Sequence, residues 1–218
     1  MPRDHIVATR DAYSDSARRF ASAVGTTVSP DFEAPIDLAV LTTFVELART
    51  STGVVVDAGC GTGRIARYLT DDGLDVLGVD VAAGMIDEAR RAHPDIAFDV
   101  AELTSLPSTA RSVAAIAYWY SIITTPPDAL ASVWSELKRV LVPGGAVLVA
   151  FQCGTGEQVH RPNAYGTSTD LTLFRHDPDH VRRGLETVGL CAHTVAQRAP
   201  RFDHESSDQA FVIATRPR

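Results

Sequence analysis

A chain of 218 residues can fill one hydrophobic core but leaves little for a second ordinary domain. It is 45% hydrophobic and 22% charged, as globular proteins are, and its formal charge of -7 argues against nucleic acid or an anionic membrane as the main partner. Its three cysteines, Cys60, Cys153 and Cys191, lack CxxC spacing, so neither a disulfide framework nor a metal site is expected and a reducing cytoplasm fits.

The first segment, MPRDHIVATRDAYSDSARRFA, scatters charge through any apolar stretch of signal-peptide length. No run approaches the roughly 20 apolar residues that span a bilayer. The expectation is a soluble, cytoplasmic protein. Residues 1–50 read as helices, broken around Ser29-Pro30 and at Pro35. Then short apolar runs alternate with helical patterns. VVVDAG (54–59), DVLGVD (75–80), IAFDVA (96–101), VAAIAYWY (113–120) and AVLVAF (146–151) read as strands. Most are apolar at consecutive positions, which suits strands covered on both faces. A helix from Gly63 to Asp72 stops at Gly73, and one from Gly84 to His93 stops before Pro94. DALASVWSELKRVL is expected to be a helix capped by Asp128, followed by a turn at Pro143-Gly144-Gly145. Residues 152–176 read as a long polar connection, of a length that is usually functional or mobile. Asp177-Pro178 opens another helix, which ends at Gly189. LCAHTVAQ (190–197) and DQAFVIAT (208–215) are expected to pair like a hairpin, since no helix separates them. Strand and helix alternating in this way predict an α/β fold with a mostly parallel sheet.

The stretch VVVDAGCGTGR (54–64) places three glycines, Gly59, Gly61 and Gly63, after a strand and before a helix. That is the nucleotide-binding corner of an open α/β sheet, where glycine permits positive φ and close approach of a ligand. The dinucleotide fingerprint GxGxxG would need a third glycine at Arg64, and no Lys-Ser pair makes a phosphate loop. Asp57 before the loop would repel a pyrophosphate and suit a cation or an amine. The alternative for Asp57 is a carboxylate that caps the helix. Asp80 closes the second strand and can accept hydrogen bonds from two ribose hydroxyls, which supports a nucleoside without choosing between cofactors. Its alternative is a solvated loop position.

DAGCGTG resembles the first motif of the class I S-adenosylmethionine-dependent methyltransferases, and the resemblance runs from about Tyr13 to the C-terminus. It implies a single-domain Rossmann-like methyltransferase fold: a mostly parallel seven-stranded sheet with a final antiparallel strand and helices on both faces. Residues 1–52 would form an N-terminal helical cap and 53–151 the cofactor-binding core. Residues 152–218 would complete the same domain with a variable loop, a helix and the last two strands. The implied cofactor is S-adenosyl-L-methionine. Asp57 would help to hold its ammonium end, Gly59 and Gly61 would lie against the cofactor, Ala58 and Cys60 would also bind it, and Asp80 would hold the ribose. Val81, Glu102 and Leu103 would surround the adenine, and Met85 would also contact the cofactor. The family more often has aspartate at Glu102, and the alternative there is an exposed loop glutamate. In Ala117-Tyr118-Trp119-Tyr120-Ser121-Ile122-Ile123, Tyr118 and Trp119 would pack near the cofactor, with at least one of the three rings belonging to the core. Tyr13 matches a tyrosine that closes over the amino acid end, its alternative being helix packing. Thr124 stands where similar chains tend to have histidine.

Methyl transfer from a sulfonium needs an aligned acceptor and a dry site, and needs a base only when the acceptor's lone pair is not already free. His160, His176 and His204 are candidates for that base, each with packing or surface as its alternative, and none is nominated. The expected partner is a small-molecule acceptor, with no nucleic acid and no membrane; the oligomeric state and accepting atom are not encoded legibly. The other function classes are a silent binder of S-adenosylmethionine or S-adenosylhomocysteine, and an NAD(P)-dependent oxidoreductase disfavoured by Arg64.

Overall fold

Two helices, α1 (Asp4–Val24) and α2 (Pro35–Ala48), precede the first strand in the computed structural model, which describes residues 4–218. Pro35 occupies the first turn of α2, where its missing N–H is no loss, and the buried Asp37 carboxylate accepts the Ala34 N–H at 2.9 Å. The alternating part follows as β1 (Val54–Ala58), α3 (Arg64–Asp71), β2 (Val76–Asp80), α4 (Ala83–Ala92), β3 (Ala97–Val100) and β4 (Val113–Trp119). Then come α5 (Leu130–Val140), β5 (Leu141–Gln152), β6 (Gln158–Arg161), β7 (Leu171–Phe174), α6 (Pro178–Thr187), β8 (Cys191–Arg198) and β9 (Gln209–Thr215).

Seven of the strands form one sheet in the order β3-β2-β1-β4-β5-β9-β8. All neighbours pair in parallel except β9, which runs antiparallel to both β5 and β8. The expected fold is therefore the observed one. Strand order reverses between β1 and β4, and such a switch point opens a crevice at the carboxyl ends of the strands. Each face of the sheet has its own core. Val56, Ile116, Tyr118 and Val149 pack with Trp134 and Leu137 of α5 and Val181 and Leu185 of α6. On the other face Val55, Ala115, Ala117 and Leu148 meet α2, α3 and α4 through Phe44, Leu69 and Ile86. Helix α1 lies on α4 so closely that a Cβ at Gly84 would stand 2.6 Å from the Ser14 carbonyl oxygen. No helix among the described residues is long and apolar enough to cross a membrane.

Three local expectations need correction. Asp128 caps nothing: Pro127–Ala129 wind into a 3-10 turn behind Pro126, and α5 begins from Ala129 without a side-chain cap. Pro143-Gly144-Gly145 is not a turn between helix and strand; it lies inside β5, as a bulge between the Val113–Leu141 and Ala115–Ala146 pairs. The polar stretch 152–176 holds a two-stranded antiparallel ribbon, β6 on β7, rather than an unstructured connection. The Asp177 cap is as expected, its carboxylate accepting the Asp179 and His180 N–H groups.

Candidate functional site

A cavity of about 560 Å³ opens at the switch point, within the range of small-molecule sites. Its floor is the loop after β1 and the ends of β2 and β4. Helix α1, the β6–β7 ribbon and residues 204–205 enclose it. It gathers Tyr13, Asp57, Gly59, Cys60, Gly61, Asp80, Val81, Met85, Leu103 and Trp119 from the expected set.

Three expected residues lie elsewhere. Ala58 is buried within β1. Glu102 does not line the cavity, and its carboxylate accepts the Thr104 hydroxyl at 3.2 Å. Tyr118 packs edge-on against Trp134 at 5.9 Å, in the core under α5. The two-residue period of β4 turns neighbours to opposite faces, so Tyr118 is the ring given to the core while Trp119 faces the other way. The ring that joins Trp119 at the cavity is Tyr120, edge-on at 5.5 Å. Tyr120 holds φ at +57°, a left-handed conformation that a bulky residue adopts only where surrounding structure imposes it.

The three glycines have three different jobs. Gly63 precedes the first residue of α3 with φ +83°, and a Cβ there would strike the rings of His93 and Phe98 at 2.9 Å; it is a packing glycine. Gly59 has φ +78°, and the place of its Cβ is taken by Ser121, 2.2 Å away. Gly61, with φ +53°, faces open space: the nearest atom to a Cβ would be a Phe20 ring carbon at 3.9 Å. Of the three, Gly61 is the one whose bare backbone is offered to the cavity. Gly59→Ala is accordingly expected to destabilise the fold by about 3 kcal/mol through overpacking and left-handed strain. Gly59→Ala with Ser121→Gly should recover about half of that loss, since only the strain then remains. Urea midpoints of the two variants check this, and equal midpoints would contradict the packing assigned to Gly59.

Two carboxylates flank the bend. Asp57 is 1% exposed and accepts the Ala66 N–H at 2.9 Å, in the first turn of α3. It is thus the helix cap that the sequence left open, and it also lines the cavity. Burial raises its pKa to about 7, opposed by the Ala66 hydrogen bond and reinforced by Asp80. Asp80 accepts the Gly61 N–H at 3.0 Å and the Ala82 N–H at 2.9 Å, so it fixes the same bend. Desolvation raises its pKa as well. Burial also pushes up the Cys60 thiol, which leaves it un-ionised.

Around this floor Tyr13, Phe20 and Tyr165 form an aromatic wall, with Phe20 and Tyr165 edge-on at 4.9 Å. Phe20, Tyr120, Ser121, Gln152, Arg161 and Gln209 were not singled out from the sequence as site residues. The Ser121 hydroxyl is buried without a hydrogen-bond partner. Arg64 pairs with the buried Glu33 and stands over the Phe32 ring at 5.5 Å. Burial lowers its pKa to about 10, still well above neutrality. Thr124 reaches the cavity and donates its hydroxyl to the Ser121 carbonyl at 3.2 Å. Of the three candidate histidines only His204 lines the cavity, its ring stacked on Phe202 at 5.4 Å and near Phe32 at 5.0 Å. His160 pairs with Asp170 on the ribbon, and His176 is buried against the Ile122 carbonyl beside a separate, smaller pocket.

Residues 55–145 match the family described as "Methyltransferase domain". A demethylmenaquinone methyltransferase of Beutenbergia cavernae is 38% identical over 96 residues, 44% of this chain and 39% of that protein. A malonyl-[acyl-carrier protein] O-methyltransferase of Enterobacter lignolyticus is 34% identical over 43% of this chain and 36% of its own. The chain thus matches about two fifths of the length of these curated relatives. Among solved structures, a magnesium protoporphyrin IX methyltransferase from Synechocystis with bound S-adenosylhomocysteine superposes with TM-score 0.70 and 16% identity, covering 98% of this chain and 100% of that one. A 1,6-didemethyltoxoflavin-N1-methyltransferase from Burkholderia thailandensis gives TM-score 0.69 and 16% identity over 100% of this chain and 91% of that one. These structures share the fold.

Proposed function

We propose that this chain is a class I S-adenosylmethionine-dependent methyltransferase, as the match of residues 55–145 to a methyltransferase domain supports, and that it moves a methyl group from S-adenosylmethionine to a small-molecule acceptor held in the same cavity. One observation carries this reading: the bare backbone of Gly61 faces the cavity between two carboxylates, Asp57 and Asp80, beside the unpartnered Ser121 hydroxyl. A ligand with a cationic amino acid end and a ribose fits that set of groups. A pyrophosphate does not, because the Asp57 carboxylate already accepts the Ala66 N–H in the first turn of α3 and would, when ionised, repel a phosphate placed there. That is the physical argument against an NAD(P) enzyme.

S-adenosylmethionine supplies an electrophilic methyl carbon on a sulfonium. The chain's part is to bind, align and exclude water. Gly61 admits the ligand to the backbone, and Asp57 in its ionised form offers a counter-charge to the ammonium group. Asp80 keeps lone pairs for ribose hydroxyls beyond its two backbone bonds. Trp119, Tyr120 and the aromatic wall of α1 displace water from the space above. The acceptor enters between this floor and the β6–β7 ribbon, in a part of the chain outside the matched 55–145 segment. His204 is the side chain placed to take a proton where the acceptor must lose one.

The names of the relatives, demethylmenaquinone methyltransferase and malonyl-[acyl-carrier protein] O-methyltransferase, give them different acceptors around the matching segment. Titration calorimetry with S-adenosylmethionine, S-adenosylhomocysteine and NAD, followed by release of labelled methyl into a library of small acceptors, tests the proposal. Binding of the first two ligands with turnover supports it. Binding without any turnover supports the silent binder, and binding of NAD alone refutes both.

A further inference from the structure

Among charged side chains lining the cavity, one differs from the rest. Arg64 is paired with Glu33, and Glu205 with Arg198 at 2.6 Å. Asp57 and Asp80 accept backbone N–H groups. Arg161 lines the cavity and makes no ion pair or side-chain hydrogen bond among the described residues. Its position is not accidental in pattern. On the β6–β7 ribbon Arg161 pairs with Leu171 and Val159 with Leu173, so these four share one face by the two-residue period. Arg161, Leu171 and Leu173 all line the cavity. An arginine thus sits on the apolar inner face of a ribbon. The nearby carboxylate, Asp170, serves instead His160 at 3.3 Å and the Asn163 N–H at 3.0 Å. The phenols of Tyr13 and Tyr165 stand together in the wall, ring centroids 6.4 Å apart, and the guanidinium charge opposes the upward push that burial gives both of them.

A half-buried cation with no counter-charge is costly unless a ligand supplies one. The forked donors of arginine match a carboxylate in two parallel hydrogen bonds. We propose that the acceptor carries an anionic oxygen group, a carboxylate in the first instance, held by Arg161 beside the Tyr13 and Tyr165 phenols. Its apolar or aromatic body lies between Leu171 and Leu173 on one side and Trp119 and Tyr120 on the other. This rests on the acceptor sharing the cavity with the methyl donor. It adds a substrate class, and it makes Arg161 the residue that selects it.

The test is calorimetry on the full chain, with and without saturating S-adenosylhomocysteine, using one- and two-ring hydroxylated aromatic acids and their neutral amides as probes. The acids are expected to bind the native chain at least about tenfold tighter than the amides. Arg161→Gln should erase that preference while binding S-adenosylhomocysteine within about threefold of the native chain, and Arg161→Lys should retain part of it. Retained S-adenosylhomocysteine binding shows that the Gln variant is folded. Equal affinity for acids and amides, no binding of either, or an unchanged preference in Arg161→Gln would overturn the proposal. So would a tenfold loss of S-adenosylhomocysteine affinity in that variant, which would give Arg161 to the donor's own carboxylate. If S-adenosylhomocysteine fails to bind the native chain, the methyltransferase reading falls, and the preference measured without it still decides the role of Arg161.

Discussion

Gly61→Leu is expected to weaken S-adenosylhomocysteine binding by about 100-fold or more, roughly 3 kcal/mol, while leaving the protein folded. The two halves of that expectation come from one geometry. A Cβ on Gly61 meets nothing nearer than 3.9 Å, so the folded chain has room for it and bears only the left-handed strain at φ +53°, about 1–2 kcal/mol for an L-residue. The side chain then fills the space where the ligand must meet backbone. Gly59 sits two residues away and behaves in the opposite way, because its Cβ position is already taken by Ser121. A thermal melt separates the two: Gly61→Leu should lose a few degrees, Gly59→Ala considerably more. Native affinity in a folded Gly61→Leu would place the donor elsewhere.

Asp57→Asn is expected to weaken S-adenosylhomocysteine binding about tenfold at pH 8 and at the same time to raise the urea midpoint. The second effect follows from the sign of the shift. Burial raises the folded pKa of Asp57 from 3.8 to about 7. Between those values the native state binds more protons than the unfolded state, so this group's contribution to stability falls as pH rises and is flat above about 7. Asparagine stays neutral, keeps an oxygen for the Ala66 N–H, and escapes that cost. Binding has the opposite dependence, since only the ionised carboxylate attracts an ammonium group. Affinity of the native chain should therefore drop roughly tenfold from pH 7.5 to 5.5, and the drop should vanish in Asp57→Asn. A pH profile unchanged by the substitution would remove Asp57 from the binding account and leave it only as the α3 cap.

The sheet was legible because its strands are buried on both faces and so read as continuous apolar runs, and because glycine and proline punctuate nearly every junction. The β6–β7 ribbon escaped notice because its apolar residues, Val159, Leu171 and Leu173, alternate with His160 and Thr172 in segments of four residues. That period-2 signal is present but short, and it lies in a stretch whose glycines and threonines suggest a loop. On β4, Tyr118 and Trp119 could not be sorted without knowing which face carries α5, since a one-residue change of phase exchanges core for cavity, and Tyr120, just past the strand, leaves the alternation through its left-handed φ. The role of Gly59 and the isolation of Arg161 depend on which side chain stands opposite. Residues 62 and 10 positions away in sequence decide those questions, Ser121 in one case and Leu171 in the other. Asp57 was legible in both of its open readings, and its position lets one carboxylate serve both: it caps α3 and faces the cavity.

A crystal structure of the chain with S-adenosylhomocysteine, refined with difference density for the ligand, measures the central claim most directly. The homocysteine end should lie along the Gly61 backbone within hydrogen-bond reach of Ser121 and the Asp57 side, with both ribose hydroxyls on Asp80. Density for the ligand outside the cavity, or a ribose that leaves Asp80 untouched and an amino acid end away from Gly61, would contradict it.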